Sequence, residues 1–307
     1  MMNQIPTRQN EAKQLQRLAA QRELYSRAKN WYGWQVIVNV IIPSVFSLIA
    51  LANDHAGKLG AVYGLLASFI DVFGLDTRIK NLREKGAKVQ EQYDCDLLEL
   101  GCSPLKSVND VTTGEIVELH DAHCGGNKKE LQLQNWHSGL VGTLPLTIAR
   151  LVSQYNNCDW GRRLRKRYRV FLTITYLLLG LFILYVNRPD NITNLNDQTL
   201  INFILILAAL TPLFTFYFKQ MQEQNEAIQS LERILQHIES VISDPQQLRN
   251  EQGLNERARH VQDEIYDSRS KNTQVPDFFY RYYQKRDQIL MDRTTERLVA
   301  DITKLIS

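Results

Sequence analysis

The sequence predicts an all-α integral membrane protein with four transmembrane helices, arranged as two helical hairpins, and a mainly helical cytoplasmic domain. Three observations carry that expectation. Apolar spans at residues 34–52, 59–75, 170–186 and 199–218 run for 17 to 20 residues, enough to cross ~30 Å of hydrocarbon at a helical rise of ~1.5 Å per residue. The first, third and fourth contain no Asp, Glu, Lys, Arg or His, and the second contains only Asp71. Lys and Arg fall on one side of the spans: of 36, residues 1–33 hold 6, residues 77–169 hold 15 and residues 219–307 hold 13. The two remaining connections hold only Lys58 and Arg188. By the positive-inside rule both termini are cytoplasmic. Outside the spans, apolar residues recur at helical and not alternating steps.

Five segments follow from this. Residues 1–33 form a cytoplasmic N-terminal helix, with Leu15, Leu18, Ala19, Leu24, Tyr25 and Ala28 on its apolar side. It either packs on the cytoplasmic domain or lies on the inner leaflet. Residues 34–76 form the first hairpin, closed tightly by 53–58, and Gly60, Gly64 and Ala67 give the small-residue spacing that lets backbones approach in lipid. Residues 77–169 are cytoplasmic and form the candidate ligand-sensing region. They begin with a helix to about Leu100 carrying Ile79, Leu82, Val89, Tyr93 and Leu97. Gly101, Pro104 and Gly114 mark an irregular stretch, Asp110 to Glu118 reads as a short helix or a strand, and Gly125-Gly126 is a turn. A second helix from Leu144 runs directly into the third span. Residues 170–218 form the second hairpin, with a polar loop at 187–198. Residues 219–307 form cytoplasmic helices: one to Ser243 with Ile228, Leu231, Ile234, Leu235, Ile238 and Val241 on one face, then two more near 252–270 and 277–306, divided by Pro276.

Composition narrows the function. Mean hydropathy is only −0.29 because about 215 residues lie outside the spans on the cytoplasmic side, enough for a folded domain. Net charge is +3, so polyanion binding does not follow from overall charge. Cys95, Cys102, Cys124 and Cys158 all lie in the reducing compartment, where structural disulfides are not expected. They do not show the paired spacing of a zinc site, even with His120, His123 and His137 nearby. No cleavable signal is expected ahead of the first span, and the glycosylation-like Asn191-Ile192-Thr193 is taken as chance. Phosphate-binding glycine loops, His-Glu-x-x-His and Gly-x-Ser-x-Gly are all missing from the sequence, so no catalytic residue, metal or cofactor is expected and the chain is not read as an enzyme.

Two features invite a functional reading beside a plainer one. The run Arg162-Arg163-Leu164-Arg165-Lys166-Arg167-Tyr168-Arg169 has six cations in eight residues next to a span. It either anchors to anionic headgroups or turns some guanidinium groups inward to bind phosphate. Asn39, Ser44, Asp71, Asn202 and Thr211 place polar groups within the spans. They serve helix–helix hydrogen bonding or line a water-filled path, and four helices of this length need an oligomer to enclose one.

Several stretches resemble a known family. These are Ile5-Pro6-x-Arg8-Gln9-Asn10 with Leu18-Ala19-Ala20-Gln21-Arg22-x-Leu24-Tyr25, then Tyr93-Asp94-Cys95, then Asn135-Trp136 with Asn156-Asn157-Cys158-Asp159-Trp160 and Leu164-Arg165-x-x-Tyr168. The tail adds Val261-Gln262-Asp263-Glu264-Ile265-Tyr266-x-x-Arg269. In order and in four-span layout they resemble the SMODS-associating four-transmembrane effectors of bacterial anti-phage signalling. The chain departs from the family pattern at Leu100-Gly101-Cys102-Ser103, where a Leu-Pro-Trp-Asn-like turn is expected, and at His137-Ser138, where a Tyr-Pro is expected. The resemblance implies an effector in the bacterial inner (cell) membrane, working beside a cGAS/DncV-like nucleotidyltransferase. It would bind a cyclic nucleotide second messenger on its cytoplasmic side, then oligomerise or open and disrupt the membrane in an abortive infection. The other reading is a membrane-anchored adaptor or scaffold without pore activity. For ligand contacts the resemblance points to Arg162, Arg163 and Arg165 at phosphates, Trp136 or Trp160 for base stacking, and Gln262, Asp263 and Arg269 as polar partners or scaffold.

Overall fold

The computed structural model describes residues 3–50, 53–103, 111–125, 130–186, 204, 207–208 and 210–306. Asn202, the loop at 187–198 with Asn191-Ile192-Thr193, Pro104, Asp110 and Gly126 lie outside them. Among the described residues the chain is helical, with no strand. The helices are α1 (Ile5–Arg8), α2 (Ala12–Val36), α3 (Ile42–Ile49), α4 (Asp54–Ile70), α5 (Asp76–Leu97), α6 (Thr113–Cys124), α7 (Leu146–Val186), α8 (Thr211–Ile242), α9 (Pro245–Leu248), α10 (Glu251–Lys271) and α11 (Asp277–Ile306). Two π turns, Ile37–Ile41 and Asp71–Leu75, join α2 to α3 and α4 to α5. Of the stretch 110–118, open between helix and strand in the sequence, residues 113–118 lie in α6.

Local chemistry explains the ends. Thr112 caps α6 by accepting from the Glu115 amide at 3.3 Å, the Thr-x-x-Glu form of a capping box. Gly125 then ends α6 in the left-handed region, at φ 40°, where a side chain is disfavoured. Asp244 accepts from the Gln246 amide at 2.8 Å with Pro245 as the first residue of α9, a position where the missing N–H costs nothing. Proline at 245 therefore starts a helix as well as ending one. Asn250 caps α10 through the Gly253 amide at 3.0 Å.

The chain divides into two compact units, one of Met1–Arg27, Leu82–Lys166 and Glu226–Ser307, the other of Ala28–Asn81 and Arg167–Asn225. Each of the four passages from one to the other falls inside a helix: α2, α5, α7 and α8. The first unit has an ordinary apolar core. Leu15, Leu18 and Ala19 of α2 pack with Tyr93 and Leu97 of α5, Leu151 and Val152 of α7, Ile234 and Ile238 of α8 and Val261 of α10.

The second unit is inverted. Its surface shows Trp34, Leu59, Leu65, Leu66, Phe69 and Phe73, with Val170, Leu177, Leu178, Leu181 and Phe182 on α7 and Phe218 on α8. Its interior holds Gln35, Asn39, Ser47, Asp71, Gln220 and Gln224. Apolar outside and polar inside is the arrangement that a hydrocarbon solvent selects. Two helical runs among the described residues, Ala12–Ile49 and His55–Leu97, are long and apolar enough to cross a membrane. This unit extends past the predicted hairpins because Trp31, Tyr32 and Ile79 join the cluster of Val40, Leu213 and Phe216. The hydroxyls of Tyr32 and Tyr168 meet at 3.0 Å, and Arg78 lies over the Trp31 ring at 5.1 Å.

One close approach in the first unit is testable. A Cβ on Gly86 of α5 would lie 2.6 Å from the Tyr25 ring, and Tyr25 is buried with its hydroxyl bonded to Gln90 at 3.1 Å. Gly86→Ala is expected to cost about 1–3 kcal/mol through overpacking. It should be read as a lower thermal midpoint of the detergent-purified protein; an unchanged midpoint would mean that the ring yields freely.

Candidate functional site

The first unit is organised by two carboxylates on α5. Glu91 and Asp94 lie one turn apart and are 1% and 2% exposed, so each needs compensation that bulk water does not supply. The compensation comes from α10. Arg259 Nη2 donates to Glu91 Oε1 at 2.7 Å. Gln262 Nε2 donates to Glu91 Oε2 at 2.8 Å and to Asp94 Oδ2 at 3.0 Å. Arg269 pairs with Asp94. Burial opposes the charge on Arg269, but the Asp94 carboxylate outweighs it and raises the guanidinium pKa. Gln154 of α7 completes the network by donating to Gln262 Oε1 at 3.0 Å.

A second group gathers where α7 meets the segments around Asn135 and Tyr280. Trp136 and Trp160 pack with centroids 5.4 Å apart, and Tyr280 follows at 6.2 Å from Trp160. Trp136 Nε1 donates to Asn157 Oδ1 at 2.9 Å. Arg162 and Arg163 both reach Asp159, at 2.7 and 3.1 Å. Arg165 Nη1 donates to the Thr273 carbonyl at 2.8 Å. The structure therefore brings Trp136 and Trp160 together, Arg162 and Arg163 together, and Gln262 and Arg269 together on Asp94. Asp263 accepts from Arg259 at 3.0 Å. Each of these residues has a partner within the chain.

The N-terminal motif is fixed in the same way. Gln9 exchanges two hydrogen bonds with the backbone of His137, at 2.7 and 3.1 Å. Asn10 accepts from the Asn135 amide at 3.0 Å, with Asn135 itself at φ 56°.

Within the apolar unit, Asn39 and Asp71 come together through Gln35. Ser44 and Thr211 instead donate to carbonyls of their own helices, Val40 at 2.7 Å and Leu207 at 3.3 Å. Among the described residues no group of three or more His, Cys, Asp or Glu is arranged to hold a metal, and the four cysteines form no disulfide.

A cavity of about 470 Å³ opens beside the Glu91–Asp94 network, lined by Lys13 and Arg17 of α2, Gln92, Cys95 and Asp96 of α5, and Thr112 and Thr113 at the start of α6. Its size lies within the ~300–1,000 Å³ of small-ligand sites. Asp96 gathers the cations around it: Arg17 at 2.6 Å, Lys13 at 2.9 Å and Arg8 at 3.1 Å. Burial raises the Asp96 pKa, but the Lys13 and Arg17 contacts outweigh it and hold the carboxyl down at about 2. Three cations on one carboxylate, two of them lining the cavity beside hydroxyls and a helix N-terminus, suit an anionic oxygen ligand. Lys13 and Arg17 are not among the ligand contacts expected from the sequence. The signal that marks the cavity is the capping box at Thr112 taken together with the basic spacing of Arg8, Lys13 and Arg17.

His137 makes the unit sensitive to acid. Burial pushes its imidazole pKa down to about 4, so the folded protein keeps it neutral where the unfolded chain takes up a proton. Its contribution is complete above the unfolded value near ~6.5 and is lost as pH falls toward 4. The stability of wild-type protein is expected to drop between pH 7 and 5, with a slope of up to ~1.4 kcal/mol per pH unit. His137→Phe should flatten that slope in a denaturant titration at each pH; an equal slope would remove His137 as the cause.

The sequence matches the family described as the SMODS-associating 4TM effector domain over residues 3–298. A relative from Bacillus cereus (strain VD146), named as a probable CBASS effector molecule, is 24% identical over 299 residues, covering 95% of this chain and 97% of its own. No solved structure matches the chain.

Proposed function

The chain belongs to the SMODS-associating 4TM effector family, and from that premise we propose that it is an anti-phage membrane effector switched on by a cyclic nucleotide second messenger. The messenger binds the cytoplasmic unit. The apolar unit, with four spans at 34–52, 59–75, 170–186 and 199–218 and both termini inside, then oligomerises or opens and disrupts the inner (cell) membrane. A cGAS/DncV-like nucleotidyltransferase supplies the messenger, in keeping with the relative's name as a probable CBASS effector molecule. The effector performs no covalent chemistry on its ligand.

Helical continuity is the observation that supports this reading best. The cavity draws Lys13 and Arg17 from α2 and Gln92, Cys95 and Asp96 from α5, and both helices continue without a break into the apolar unit. A messenger phosphate that takes Lys13 and Arg17 away from Asp96 changes the forces on two helices that carry on toward the membrane spans. For the switch to work, the ligand must bind the open or assembled state more tightly than the resting one. The aromatic pair Trp136–Trp160 and the Arg162–Arg163–Asp159 cluster hold α7 in place during that change.

Binding and permeabilisation separate this reading from an adaptor. Purified protein in liposomes is expected to bind a cyclic di- or trinucleotide and release an entrapped dye only when it is bound. Lys13→Glu with Arg17→Glu should weaken binding by about 100-fold or more, since charge-assisted contacts contribute about 1.5–3 kcal/mol each. Binding without dye release would favour the membrane-anchored adaptor, and unchanged affinity in the double variant would move the messenger away from this cavity.

A further inference from the structure

We propose that Asp71, held by Gln35 and Asn39, is a proton-binding site inside the apolar unit, an assignment that does not depend on the messenger. Asp71 is the one Asp, Glu, Lys, Arg or His in the four apolar spans, and it is 7% exposed. Its partners are buried as deeply, Gln35 at 2% and Asn39 at 1%. Gln35 Nε2 donates to Asp71 Oδ1 at 2.5 Å. Asn39 Nδ2 donates to the Gln35 carbonyl at 3.0 Å, which holds the Gln35 residue from behind. The charged groups that face Asp71 are Lys219 of α8 and Asp76 at the start of α5. They pair with each other at 2.6 Å, which leaves the Gln35 amide as the direct partner of Asp71 among the described contacts.

The backbone is opened at the same place. Asn39 lies in the π turn Ile37–Ile41, and Asp71 begins the π turn Asp71–Leu75. Pro43 contributes to the first, because it has no N–H to donate one turn back and its ring crowds the carbonyl there. Side chains satisfy carbonyls in and around both turns: Tyr63 Oη donates to Val38 at 2.8 Å, Ser44 Oγ to Val40 at 2.7 Å and Thr77 Oγ1 to Val72 at 3.3 Å. Such turns are rare and recur at functional sites. A carboxylate within a membrane span is costly to keep, and a leucine would avoid that cost.

The donors choose the ligand. A side-chain amide N–H facing a carboxylate solvates an anion and repels a metal cation. Adding a proton removes the charge and turns an acceptor-only group into a donor, and the Gln35 amide can rotate to accept from it. Occupancy by the proton therefore changes both the charge and the hydrogen-bond direction at the point where both helices leave α geometry.

Infrared difference spectra of the full chain in liposomes, recorded on stepping the pH, test the site without relying on permeabilisation. A carboxylic C=O band is expected to grow on acidification, to shift in D₂O and to be lost in Asp71→Asn. Gln35→Leu should move the midpoint of that band, which keeps the test open if the Asn variant fails to fold. A band that persists in Asp71→Asn, a midpoint unmoved by Gln35→Leu, or a spectrum that answers to Na⁺ or K⁺ in place of pH would overturn the proposal.

Discussion

The first unit rests on two charges that cannot reach water. Glu91 and Asp94 sit on one side of α5, and Arg259, Gln262 and Arg269 of α10 approach them from more than 160 residues away in sequence. Replacing such a network by apolar residues is often neutral or stabilising, whereas removing one member costs about 3–5 kcal/mol because the other charge is stranded. The network therefore contributes less as net stability than as a constraint on partner choice. Only α10 in this register offers Arg, Gln and Arg at steps of three and seven, so a slipped packing leaves a buried carboxylate unpaired. Gln262 carries particular weight, since a single amide nitrogen bonds both carboxylates and its oxygen accepts from Gln154 on α7.

That constraint bears on the cavity next to it. Cys95 lies between Glu91 and Asp96 and receives Arg259 at 3.3 Å, so the α5 turn that fixes the network also sets one wall of the cavity. The stretch Leu100-Gly101-Cys102-Ser103, where the chain departs from the family pattern, contributes Leu100 and Cys102 to the lining. Gly101 of the same stretch accepts from Arg259 at 2.8 Å. Motif residues thus hold the scaffold, and the departure falls on the surface a ligand would meet. A difference in ligand between members of the family needs no change in the network that supports the cavity.

Much of the architecture was readable because it follows from local rules. The apolar residues of α2, α5, α8 and α10 recur at three and four, and those positions are buried. The helix expected from Leu144 directly into an apolar span is the unbroken α7. The inverted surface of the second unit follows from spans with a single ionisable residue. The candidate site was less readable, because its pairs join residues with no periodic relation: Gln9 with His137, Trp136 with Asn157, Asn156 with Thr295. A cation cluster looks alike in sequence whether it meets lipid, ligand or a neighbouring carboxylate, and for Arg162 and Arg163 the deciding residue is Asp159, one turn back. The two π turns left almost no local trace beyond Pro43, since a π turn is a response to packing and to the side chains that cap its carbonyls.

A membrane effector must remain harmless until it is needed, and the two units meet that demand by different physics. In the first, cations are held by an internal carboxylate at the cavity wall, and the proposed function needs an anionic ligand to replace it. In the second, the Asp71 carboxylate is kept on the Gln35 amide while the outer face of the unit stays apolar. Charge satisfied from within costs little to hold at rest, yet it yields to a competitor of the same sign that brings more acceptor oxygens. Asp96, with Arg8, Lys13 and Arg17 gathered on one carboxylate, is the arrangement on which the proposed exchange rests. Asp94, sealed by Arg269 and Gln262, is built to resist it. Two carboxylates two residues apart on one helix are thus given opposite tasks by their exposure: the buried one holds the scaffold, and the one at the cavity wall can let its partners go.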